Sequence, residues 1–198
     1  MADDVAVLDA LRAAILDGEY TAGQRLVELQ RHRGARVRII PLAEAIEITE
    51  VRQLLEGLTA ARAAERVTTA HAGQLEQIIV EMREAVAAAE LLRYSDANAR
   101  LHGLVRAIAA HQTATGILER LRAQMVRHQF ALSLVPGRPA VSLAQHERIV
   151  AAITARDPAA AQAAMEEHIA GVIDALRSLP AGHADRPPAP TERASTGG

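Results

Sequence analysis

His146-Glu147-Arg148-Ile149-Val150-Ala151-Ala152-Ile153, followed by Arg156-Asp157-Pro158-Ala159-Ala160-Ala161 and Met165-Glu166-Glu167-His168, is the stretch that decides the fold. Ile149, Val150 and Ile153 fall three, four and seven residues after His146, the spacing of one helix face. Met165, His168, Ile169, Val172, Ile173 and Leu176 repeat that spacing. Between the two runs, Asp157-Pro158 sets a capping carboxylate ahead of a proline suited to a first helical turn. The segment therefore predicts two antiparallel helices joined by a short turn. His146 lies 11 residues before Asp157 and His168 lies 11 after it. At 1.5 Å per residue both sit about 16 Å from the turn, at one level and on facing stripes.

The same period extends outward. Val51, Leu54, Leu55 and Leu58 form one stripe; Leu75, Ile78, Ile79, Met82 and Val86 another; Leu101, Leu104, Val105 and Ile108 a third. Ile117, Leu121 and Met125 give a fourth. Six helices are predicted, near 42–66, 69–89, 93–111, 113–133, 142–156 and 158–179. Val135-Pro136-Gly137-Arg138-Pro139 reads as a loop, and Ser142 with Gln145 as a capping box opening the fifth helix. Short loops between amphipathic helices imply an all-α, antiparallel six-helix bundle. Alanine, the commonest residue, supports it. Before Pro41, residues 5–17 read as a short helix ended by Gly18, and the alternation Ala35-Arg36-Val37-Arg38-Ile39 as a strand or hairpin arm. Residues 180–198 lack a period and are rich in Pro, Gly, Ala and Ser, which predicts a disordered tail. The expected organisation is an N-terminal unit over 1–40, a bundle over 41–179 and a tail over 180–198.

Composition excludes several functions. With no cysteine in 198 residues there is no disulfide framework, thiol nucleophile or zinc ribbon, so a metal must be held by His, carboxylate or amide groups. Three aromatics, Tyr20, Tyr94 and Phe130, do not make a stacking platform for single-stranded nucleic acid. A formal charge of -2 gives no overall attraction to polyanions. No apolar run approaches the roughly 20 residues of a spanning helix, and Met1-Ala2-Asp3-Asp4 does not open a secretory signal. A cytoplasmic protein with no membrane partner is expected.

Three histidines face inward on the stripes. His146 and His168 do so on the last two helices, and His102 precedes Val105 by three residues. Asn98 lies one turn before His102 and shares its side of the helix. One buried histidine is more often hydrogen-bonded core than ligand, but three at matching height with an amide oxygen suit Zn²⁺, Ni²⁺ or a similar divalent ion. His32, His71, His111, His128 and His183 show no such convergence and read as surface or loop residues. Arg52, between Val51 and Leu54, points partly inward and needs an anion. Glu56, one turn on, supplies a structural partner; a ligand carboxylate is the functional alternative.

These residues resemble the GntR family of bacterial transcription regulators, in its FadR-type subgroup with a helical FCD ligand-binding domain. Leu11 to Gly18 and Ala22 to Glu28 resemble the opening of the winged-helix head, and His32-Arg33-Gly34-Ala35-Arg36-Val37-Arg38 the last strand of its wing. Glu50 to Gly57 resembles the first sensor helix, Asn98-Ala99-Arg100-Leu101-His102 the Asp-x-x-Phe-His metal motif, and the segments at His146 and His168 the two remaining metal-histidine segments. The resemblance implies a divalent ion on Asn98, His102, His146 and His168, a small organic acid bound to it with Arg52 on its carboxylate, and a homodimer. Asn98 stands where the family has Asp, leaving the site one negative charge short. Only Gln30, Arg31 and His32 separate Leu29 from Arg33, where a complete head places two more helices, including the one that enters the major groove. An incomplete winged-helix remnant is expected, with DNA binding impaired or lost. Arg31, Arg33, Arg36 and Arg38 remain as weak phosphate contacts or as a solvated basic edge.

The function these observations predict is a metal-dependent small-carboxylate sensor. The competing expectation is a metal-dependent enzyme, a lyase, isomerase or hydrolase on a small acid, with Glu56, Tyr94 and His128 as candidate bases. A decayed or misassembled reading frame is the third reading.

Overall fold

The computed structural model describes residues 27–30, 34–37 and 40–179. The expected helix at 5–17, the tail at 180–198, and Arg31, Arg33, Arg38, His32 and His183 lie outside them. Strands β1 (Val27–Gln30) and β2 (Gly34–Val37) pair antiparallel, Val27 opposite Val37 and Gln30 opposite Gly34. The expected hairpin arm is thus present, and it carries Arg36.

Six helices follow: α1 (Leu42–Arg66), α2 (Thr69–Ala87), α3 (Leu91–Ala109), α4 (Gln112–Ser133), α5 (Arg138–Thr154) and α6 (Pro158–Arg177). Four of the starts have a plain local cause. Pro41, at φ -63°, presets the entry to α1. The Thr68 hydroxyl accepts from the His71 N–H at 3.2 Å while the His71 ring accepts from the Thr68 N–H, so His71 closes a capping box on α2. The His111 ring accepts from the Ala114 N–H and caps α4. Asp157 Oδ1 accepts from the Ala160 N–H at 3.0 Å, with Pro158 in the first turn of α6, as the sequence predicts.

Helix α1 is the central member and packs most extensively along α6. Alanines and a glycine make that approach possible: Ala60, Ala63 and Ala64 are fully buried, and a Cβ on Gly57 would lie 2.8 Å from Glu166 Cγ. The main core joins α1, α2, α3, α5 and α6 through Leu75, Met82, Leu101, Ile149, Met165 and Ile169; a second cluster links Ile40, Ala45 and Ile48 to Met125, Leu132 and Leu176. No described helix is long and apolar enough to cross a membrane.

Four expectations are corrected. On α1 the stripe Val51, Leu54, Leu55 and Leu58 does not face the core: Val51 is 48% and Leu54 68% exposed, Leu55 and Leu58 are partly buried, and the buried face runs through Ile48, Arg52, Glu56, Thr59 and Ala63. Helix α5 begins at Arg138, inside the expected loop, with Gly137 in the left-handed region (φ 78°) ahead of it. Ser142 is therefore buried within a helix rather than capping one. On α4 the buried face runs through Ala114, Leu118, Met125, His128 and Leu132, not Ile117 and Leu121, which are only partly buried. His128 is core, 2% exposed, and its Nε2–H donates to the Ile40 carbonyl at 2.8 Å, tying α4 to the chain before α1.

Candidate metal centre

His102 from α3, His146 from α5 and His168 from α6 meet inside the bundle. Ring centroids lie 4.3 Å apart for His146–His168, 5.3 Å for His102–His146 and 5.5 Å for His102–His168. One nitrogen from each lies within 4.8 Å of the others. The α5–α6 turn at Asp157 sets the level of two rings, as the equal 11-residue spacings require.

Neighbouring side chains orient the rings. His102 Nδ1 donates to Glu56 Oε2 at 2.7 Å, which turns its Nε2 toward the other rings. His168 Nδ1 donates to Gln145 Oε1 at 3.0 Å, leaving its Nε2 as an acceptor. His146 Nε2 lies 3.3 Å from His102 Nε2, and His146 Nδ1 is buried without a hydrogen-bond partner among the described residues. Two imidazoles on a first-row ion at about 2.0–2.1 Å bring their nitrogens about 2.9–3.4 Å apart, so the observed spacing fits such an ion.

Electrostatics favours neutral rings at His146 and His168. Burial pushes His146 well below the ordinary histidine value, reinforced by His168 and His102. Burial, then the His102 ring, pushes His168 down to about 3. Burial alone would raise the Glu56 carboxyl. The Arg52 guanidinium and the His102 ring outweigh it, by charge and hydrogen bonds, and hold it well below its usual range. A neutral imidazole with one N–H engaged offers its other lone pair to a cation.

A cavity of about 210 Å³ opens beside the rings, lined by Arg52, Asn98, His102, His168, Tyr94 and Ser142, and also by Arg122 and Arg138. Asn98 is half-buried, one turn before His102. Arg52 lines the cavity but is also paired: Nε and Nη2 donate to Glu56 Oε1 at 3.0 and 2.7 Å. Of the candidate bases, Tyr94 lines the cavity, Glu56 has both oxygens engaged, and His128 is bonded to Ile40. Sequence reasoning missed Gln145 and Ser142, read as a helix cap, and Arg138, read as loop. The signal available was position: Gln145 precedes His146, and Arg138 and Ser142 fall two turns and one turn before it.

The FCD domain model matches residues 47–171. The HTH-type transcriptional repressor RspR of Escherichia coli K12 is 29% identical over 154 residues, 78% of this chain and 68% of that protein. Among solved structures, E. coli McbR/YncC superposes with a TM-score of 0.71 at 15% identity, covering 85% of this chain and 82% of that one. The Streptococcus agalactiae GntR structure gives 0.56 at 21% identity, covering 77% and 76%. At these identities the structures attest the fold. The domain match spans more than half of the chain and includes every residue of the histidine site, so the chain belongs to the FCD-domain family of GntR-type transcription regulators.

Proposed function

We propose that the chain is a metal-dependent sensor of small carboxylic acids. The observation that carries this reading is the set of three buried, facing imidazoles beside an arginine-lined cavity. His102, His146 and His168 would hold a divalent ion of the zinc or nickel type, with the Asn98 amide oxygen as a fourth donor. When bound, such an ion supplies a positively charged anchor for a carboxylate. Glu56 and Gln145 fix the rings, Arg52 faces the acid while staying paired to Glu56, and the surrounding apolar core excludes bulk water. With Asn98 neutral, the ligand has to bring more of the negative charge.

We assign impaired DNA reading to the N-terminal unit. The β1–β2 hairpin joins Gln30 to Gly34 through three residues, which leaves no room there for a recognition helix. A homodimer and a cytoplasmic location complete the reading. Equilibrium dialysis against zinc, followed by carboxylate titration, tests the sensor. About one ion per chain and acid binding that depends on it are expected; acid binding unchanged by chelation contradicts it. A gel shift on the protein's own promoter is expected to show no specific nanomolar complex, and such a complex would overturn the impaired head.

A further inference from the structure

Around the Arg52–Glu56 pair the bundle holds more positive charge than one carboxylate balances. Glu56 is the one acidic side chain buried among the described residues. Arg106 on α3 is 8% exposed, and its Nη1 is buried with no hydrogen-bond partner among the described residues. Arg122 on α4 and Arg138 at the start of α5 are partly buried and line the same cavity as His102 and His168. Arg138 Nη2 is also buried without a partner among the described residues. Its place is well defined: a Cβ on Gly171 would lie 3.6 and 3.8 Å from Arg138 Nη1 and Nη2, and 3.0 Å from Gln145 Nε2. The guanidinium thus rests on α6 about one turn past His168, beside the amide that orients that ring. Burial disfavours the charged form of Arg106, Arg122 and Arg138. Yet a guanidinium does not give up its proton in a protein, so it needs an anion instead. Glu119, which attracts Arg106 and Arg122, is exposed and screened.

A monocarboxylate at the histidine end would leave this second group of cations unmatched. We infer that the cavity is built for a small acid with two anionic groups, one at the histidine end and the other, a carboxylate or a phosphate, held by Arg138 and Arg122. This rests on the reading of the cavity as a carboxylate site. The cavity, about 210 Å³, is of a size that suits a short diacid.

Calorimetric titration of the zinc-supplied full chain with succinate, phosphoglycolate and butyrate tests the inference. Succinate or phosphoglycolate is expected to bind at least about tenfold tighter than butyrate, and which one does so identifies the second group. In Arg138→Met, and independently in Arg122→Met, each checked for helical content, the preference should shrink to within about threefold. Butyrate binding as tightly as both two-headed acids, or a preference retained in either variant, overturns the inference while leaving the carboxylate reading intact. No binding of any of the three acids overturns both.

Discussion

His102 Nδ1 donates to Glu56 Oε2 at 2.7 Å while Arg52 donates to the other oxygen of the same carboxylate. One buried acid thus fixes a ring on α3 and neutralises a guanidinium on its own helix. Carboxylates that orient a ligating histidine commonly matter about 10- to 100-fold in metal affinity. Glu56→Gln is expected to lower zinc affinity by that factor, measured by competition with a chelating dye. It should also destabilise the fold by about 3–5 kcal/mol, because Arg52 is left buried without its counter-charge. Unchanged zinc affinity in a folded Glu56→Gln protein would remove Glu56 from the site.

Gln145 plays the matching part for His168. Gln145→Leu removes the acceptor for Nδ1–H and should weaken zinc binding about tenfold, with a smaller loss of stability than Glu56→Gln because no charge is stranded. Gln145→Glu should shift zinc affinity the other way, by adding negative charge beside the rings. Both variants moving in the same direction would refute the orienting role.

Much of this was legible in the sequence, and the reasons are local. Asp157-Pro158 punctuates the chain so sharply that the level of His146 and His168 follows from counting residues. The stripe on α2 was equally plain, at Leu75, Ile78, Ile79 and Met82, but the one on α1 misled, because Val51 and Leu54 face outward while small and polar residues line its buried side. Where polar residues serve the interior, the local signals mislead. Ser142 and Gln145 have cap spacing yet sit inside α5, because Gly137-Arg138-Pro139 already starts the helix. His128 looked solvated because its partner, the Ile40 carbonyl, is 88 residues away in sequence. Arg52 faced two readings, and the Glu56 pair supplies one without removing Arg52 from the cavity.

His128 offers a control outside the metal centre. His128→Leu leaves the Ile40 carbonyl without its donor and should cost about 1–3 kcal/mol in chemical denaturation. Its metal content should match the unaltered protein. Loss of metal in this variant would extend the site to α4.

Three helix ends use residues poorly suited to their backbone, the first being Ala89 (φ 55°) after α2. Ala110 (φ 50°) and Arg156 (φ 56°) hold the left-handed conformation after α3 and α5. That conformation costs a residue with a Cβ about 1–2 kcal/mol, partly offset by the greater freedom glycine has when unfolded. Ala110→Gly with Arg156→Gly should therefore gain about 1 kcal/mol and raise Tm by about 2–4 °C. A lower Tm would show that these side chains contribute contacts outweighing the strain.

The central claim is that His102, His146 and His168 together hold one divalent ion. Metal analysis of the purified chain against His146→Ala/His168→Ala tests it most directly, supported by Tm with and without chelator. The account predicts about one ion per chain, loss of that ion in the variant, and a chelator-induced fall of about 5–11 °C at metal concentrations near 100 times Kd. A His146→Ala/His168→Ala protein that keeps its full metal content would contradict it.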